Sequence, residues 1–237
     1  MKILKSLSLS LVVLVSACGR ILIGEDCECG FYTNAATNKM LHWPDGTKIK
    51  FEVHKNVPDE QLLALEAVGE QYNKLLQNTQ IDINTSERAA PSYSEQNVDE
   101  VSGDGINGVY WVTGRWPWKK KEPNSDAMTV VSFSASRITE ADIFFRARSF
   151  RDISGDLSRL GALQISVAPG FEIESASVTS QRIYTIGLHE FGHAIGRTHS
   201  HENGSLMFPS VGLGLVEEAF SDYDREIFSA VYELSGS

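Results

Sequence analysis

Polar and apolar positions first alternate along Thr47-Lys48-Ile49-Lys50-Phe51-Glu52-Val53, the period-two pattern of a half-buried strand. Pro58-Asp59-Glu60 then opens a helix, with carboxylates placed to complement the helix dipole. Its Leu62, Leu65, Val68, Tyr72 and Leu75 or Leu76 recur at helical spacing, which predicts a stripe packed against a sheet. Ile81-Asp82-Ile83 reads as a short second strand, and residues 85 to 107 are polar and aperiodic, a long loop. Val109 to Thr113, Met128 to Phe133 and Arg137 to Phe145 read as three further strands, the last two joined by a turn. Thr179 to Ile195 forms a second long helix, and Ser221 before Asp222 and Asp224 marks the start of a closing one that carries Ile227, Val231 and Leu234. Strands and helices thus share one chain of 237 residues, an α+β domain of ordinary size with terminal extras.

Composition narrows the picture only a little. A charged fraction of 22% and a hydrophobic fraction of 42% belong to a globular protein, and a net charge of −10 argues against nucleic-acid binding. Arg115-Trp116-Pro117-Trp118 followed by three lysines reads as a surface loop with its indole rings folded onto the domain.

The N-terminus follows a different rule. Lys2 and Lys5 precede an apolar run from Leu7 to Val15 that ends in Ser16-Ala17, a signal peptide by charge, length and small-residue exit. Leu14-Val15-Ser16-Ala17-Cys18 resembles the bacterial lipobox, which implies acylation of Cys18 and attachment to the membrane through that lipid. The expected division is a signal peptide over 1–17, a lipid-anchored tether or short prosegment over 18–42, and a folded domain over 43–237. The expected location is the bacterial envelope, at the outer membrane or the cell surface. Cys27 and Cys29 leave three readings open: a tight disulfide, free or intermolecular thiols, or a latency switch through Cys29-Gly30.

The chemistry lies in Leu188-His189-Glu190-Phe191-Gly192-His193-Ala194-Ile195-Gly196-Arg197-Thr198-His199. His189 and His193 are four apart, so a helix projects both imidazoles from one face toward one ion. Glu190 is offset around the helix, where its carboxylate can work on a water instead of taking a coordination position. Gly196 tolerates the positive φ that ends a helix and turns the chain, so that His199 approaches the same ion from another side. Three imidazoles leave one position open, as a catalytic zinc site does and a closed structural one does not. With 6 His and 19 Gly in the chain, three His and one Gly fall at this spacing by chance at roughly one position in a million.

This motif, followed by Ser205-Leu206-Met207-Phe208-Pro209, resembles the metzincin signature with its Met-turn, and Pro209 two residues after Met207 points to the matrixin branch. The resemblance runs from about residue 43 to 234 and is carried also by Ala141-Asp142-Ile143 and by Gly161 to Gly170. It implies a twisted, mostly parallel sheet of about five strands with an antiparallel edge strand, an active-site helix and a C-terminal helix. It places that edge strand at 161–170, where it would pair with the substrate backbone. Met207 would form an apolar floor under the ligands, and Val211 to Leu215 would wall a specificity pocket. The function implied is a zinc-dependent endopeptidase with His189, His193 and His199 on one Zn²⁺ and Glu190 as general base and acid, acting on protein or peptide substrates as a monomer. No His lies between His54 and His189, so no second, structural zinc is expected. Asp152 and Asp156 offer the oxygens calcium takes without a pattern that marks a site. His201 lies outside the ligand spacing and reads as a surface residue or one behind the ligands. The rivals are a non-catalytic, adhesin-like zinc-binding surface lipoprotein on the same scaffold, and a hydrolase of a non-peptide amide.

Overall fold

The computed structural model describes residues 11–16, 30–88, 90, 102–118, 120, 123–150, 178–209 and 220–235, the first group as backbone alone. Cys18, Cys27, Cys29, Asp152, Asp156 and the stretches 161–170 and 211–215 lie outside the described residues.

The elements run β1 (Leu11–Ser16), β2 (Thr33–Asn34), β3 (Lys39–Met40), β4 (Lys48–Val53), α1 (Asp59–Leu75), β5 (Gln80–Asn84), β6 (Asn107–Val112), β7 (Ala127–Ser134), β8 (Arg137–Arg146), α2 (Val178–Ala194) and α3 (Asp222–Ser229). One sheet has the order β1-β7-β8-β6-β4-β5. Strands β5, β4, β6 and β8 are mutually parallel, and β7 turns back antiparallel to β8. The five strands β4 to β8 are thus mostly parallel with one antiparallel member, the α+β arrangement anticipated, although this member lies between β1 and β8 and the edge strand expected at 161–170 lies outside the described residues. The residues forming that member are 127–134. A two-residue turn, Ala135 and Ser136, with Ala135 at φ 55°, joins it to β8. Strand β1, inside the apolar run read as a leader, pairs antiparallel along β7 with Leu11 opposite Phe133 and Ser16 opposite Met128.

Both faces of the sheet are covered. On the helix side Phe51, Val53, Val109, Ala127, Val131, Ile143 and Phe145 pack with Val68 and Tyr72 of α1 and with Leu188 and Phe191 of α2. On the other side Tyr110, Val112, Met128, Val130 and Phe144 form a second cluster with Trp116 and Trp118. The two indoles are 3% and 5% exposed, so the 115–118 segment is a lid over the outer face of the sheet. Double coverage explains why β6, β7 and β8 read as nearly continuous apolar runs and not as alternating ones.

The chain before Trp43, expected as a tether or short prosegment, packs against the domain from residue 30 onward. Phe31, Tyr32 and Leu41 are buried, and β2 and β3 form a small hairpin. Phe31 packs edge-on against Phe228 and lies beside Tyr232, and Tyr32 N–H donates to the Gly196 carbonyl at 2.8 Å. Residues 30–42 are therefore part of the folded domain, because three large apolar side chains find places in its core. The polarity of the neighbouring Thr, Asn and Lys residues conceals this in the sequence.

Candidate metal centre

Helix α2 carries His189 and His193 on one face and Glu190 one residue on. It ends in two bonds, from Gly196 N–H to the His193 carbonyl at 2.9 Å and from Arg197 N–H to the Gly192 carbonyl at 2.9 Å. That is a Schellman termination with Gly196 at the left-handed position, φ 101°. A Cβ there would also run into the Leu41 carbonyl. The next carbonyls along the chain each accept from an outside donor. Trp43 Nε1–H donates to Ala194 at 3.0 Å, the Tyr232 hydroxyl to Ile195 at 2.8 Å and Tyr32 N–H to Gly196 at 2.8 Å. The helix end is therefore held from three directions, and the turn it releases has one course.

That course brings His199 back to the helix. His193 Nε2 lies 3.1 Å from His189 Nε2 and 3.2 Å from His199 Nε2. The three make up a candidate metal-holding group. Their far nitrogens fix the tautomers. His189 Nδ1 lies 2.8 Å from the Leu206 carbonyl and His193 Nδ1 lies 2.8 Å from the Arg197 carbonyl. A carbonyl only accepts, so both Nδ1 atoms carry the proton and both Nε2 atoms present lone pairs to the common centre. Burial pushes His189 down to about 4 and His199 to about 3, and drives His193 well below the ordinary imidazole range, with neighbouring imidazoles adding to the effect at His193 and His199. Three convergent neutral imidazoles, two of them with Nε2 unprotonated, fit a cation, and imidazole donors in this number fit zinc.

Met207 is fully buried against Gly192 of α2, where a Cβ would collide with its sulfur, so Gly192 is what lets the Met-turn close on the helix. Asp224, the N3 residue of α3, holds that turn. Its carboxylate accepts from Ser205 Oγ at 2.7 Å, from Leu206 N–H at 2.9 Å and from Ser221 N–H at 3.2 Å, the last of these closing a capping box in which Ser221 Oγ accepts from Asp224 N–H at 3.1 Å. Arg197, also buried, lies 3.5 Å from the same carboxylate, sits over the Phe228 ring and donates through Nε to the Gly30 carbonyl at 3.0 Å. The path Asp224 to Leu206 to His189 ties the last helix to a ligand. Sequence reasoning took Asp224 only as a capping acid and did not single out Arg197, because their partners lie far along the chain.

Glu190 is fully buried, and burial raises its carboxyl to about 8 against an opposing hydrogen bond from Thr129. His201 is exposed, as its spacing suggested. His42 is half-buried and bonds through Nδ1 to the Trp43 carbonyl, away from the three ligands.

Residues 118–233, which include β7, β8, all three imidazoles, the Met-turn and α3, match the family model for matrixin. Over this stretch, just under half of its length, the chain is matrixin-like. No curated protein matches it. The match begins after β4, α1, β5 and β6, and the three strands among these extend the sheet in the structure.

Proposed function

We propose that this protein is a zinc-dependent endopeptidase held on the bacterial envelope by a lipid on Cys18. The observation that carries the hydrolytic reading is the pairing of three convergent imidazole nitrogens with a buried carboxylate, Glu190, one of whose oxygens has no hydrogen-bond partner among the described residues. Zinc, when bound by His189, His193 and His199, supplies Lewis acidity that makes a water nucleophilic and polarises a scissile carbonyl. Glu190 accepts the proton of the attacking water as the new C–O bond forms. It then delivers that proton to the amine nitrogen as the C–N bond breaks. A purely zinc-binding surface protein on this scaffold would have no use for such a carboxylate.

The envelope location rests on the leader and on the lipobox-like residues ending in Cys18. The substrate class follows from the family, which acts on peptide bonds.

Glu190→Gln tests the reading. The variant is expected to keep one zinc per chain while hydrolysis of a peptide library, blocked in the wild type by a hydroxamate chelator, falls by about 10²–10⁴-fold. Undiminished cleavage by the purified variant removes Glu190 from the role of base.

A further inference from the structure

The two oxygens of the Glu190 carboxylate are not equivalent. Oε2 lies 2.6 Å from Thr129 Oγ1, and that hydroxyl is also 3.1 Å from the Glu190 carbonyl. Oε1 is buried and has no hydrogen-bond partner among the described residues. The hydroxyl has a single proton, both neighbours accept, and the shorter contact to a carboxylate is the stronger one. Thr129 itself is 0% exposed.

Its place on the sheet makes the contact specific. Along β7 the residues on the helix side are Ala127, Thr129, Val131 and Phe133, and the other three belong to the apolar core. A hydroxyl in that row loses its hydration on folding and needs a partner inside the protein. The partner it has belongs to the residue beside the first imidazole. Thr129 cannot drift, because its strand is laddered to β8 with Thr129 opposite Ile143. The last torsion of a glutamate is broad and roughly two-fold, so an untethered carboxylate presents either oxygen over a wide arc.

We infer that Thr129 is a positioning residue that holds Glu190 Oε2 and thereby dedicates Oε1 to proton transfer with the attacking water. The inference rests on the hydrolytic reading above and deepens it. Binding of substrate needs no such tether, whereas transfer of a proton needs one oxygen in one direction. The effect therefore belongs in kcat.

The test compares zinc-loaded wild type with Thr129→Val, which removes the hydroxyl at similar size, and Thr129→Ser, which restores it. On a peptide that the wild type cleaves, the valine variant is expected to lose about 10–100-fold in kcat, as residues supporting a metal site do. Its KM should stay within about two-fold and its zinc content at one per chain, and serine should recover most of the rate. A second readout does not depend on turnover. In metal-free protein, the shifts in thermal midpoint caused by Thr129→Val and Glu190→Ala should be non-additive in the double variant, because both remove one interaction. Thr129→Ala takes the place of the valine variant should the latter not fold.

An active wild type with an unimpaired valine variant, failure of serine to rescue, or strictly additive thermal shifts overturns the positioning role and leaves the endopeptidase reading intact. A wild type that holds zinc and cleaves no peptide overturns both.

Discussion

His199 reaches the other two imidazoles only because Gly196 adopts φ 101° and the residues on either side of His199 are pinned. Thr198 N–H donates to Gly30 O at 2.9 Å, Arg197 Nε–H donates to the same oxygen, and Ser200 N–H donates to Met207 O at 2.8 Å. His199→Ala should lower zinc affinity by more than the roughly 10–100-fold that losing an outer partner costs. Metal analysis after dialysis checks this, and full occupancy in the variant would contradict its place as third ligand. These residues were legible in the sequence because the rule that unites them is local: i and i+4 share a helix face, and glycine turns the chain. Thr129 and Asp224 were not legible. Their partners lie 61 and 18 residues away, at Glu190 and Leu206, and a threonine inside an apolar strand looks the same whether its hydroxyl meets a carboxylate or merely packs. The carbonyl that fixes the His189 tautomer belongs to Leu206, and a backbone carbonyl leaves no mark in any sequence.

The strands and helices begin and end close to where periodicity puts them, since each is long enough for its pattern to repeat. The exception is α3, which stops at Ser229. Val231 and Leu234 lie beyond its end, where Leu234 forms a bridge with Leu76. Strand β8 hides a second surprise. Glu140 and Asp142, one pleat apart, are both buried on the face away from the helices. Glu140 accepts from the N–H groups of Gly103 and Gly105, and Asp142 Oδ1 accepts from Gly108 N–H at 2.8 Å. Asp142 Oδ2 has no donor, and a proton on that carboxyl lets it donate to Glu140 instead. Burial, then the charges of Glu140 and Asp104, raises Asp142 to about 9, whereas an unfolded aspartate titrates near about 4. Between these values the folded protein keeps a proton that the unfolded chain has released. Stability is therefore highest at the acid end of the window and falls as pH rises through it, by at most about 1.4 kcal/mol per unit for this group. Asp142→Asn keeps an acceptor for Gly108 and has nothing to titrate. Its stability in denaturant should decline less than the wild type's between pH 5 and 8.5, and parallel curves would remove Asp142 as the source.

The molecule closes on itself through its N-terminal segment. Phe31 and Tyr32 bridge the end of α2 and the rings of α3, and Leu41 stands against the Gly196 turn. A boundary at residue 43, where the alternating pattern starts, cuts through this arrangement. Losing a buried Phe costs about 3–5 kcal/mol and a buried Leu about 2–5 kcal/mol. Together they rival the 5–15 kcal/mol of net stability that a domain has. The same cut removes the Gly30 carbonyl that accepts from Thr198 and Arg197, so the course of the chain to His199 loosens along with the core. A chain beginning at residue 30 should therefore melt cooperatively and bind one zinc as the longer protein does. A chain beginning at residue 43 should lose cooperative melting or bind zinc more weakly by at least about ten-fold, the lower end of what an outer partner of a metal site contributes. Calorimetry and zinc titration of the two chains decide it. Equal midpoints and equal affinities would return residues 30–42 to the tether and leave the metal centre to be held by the remainder alone.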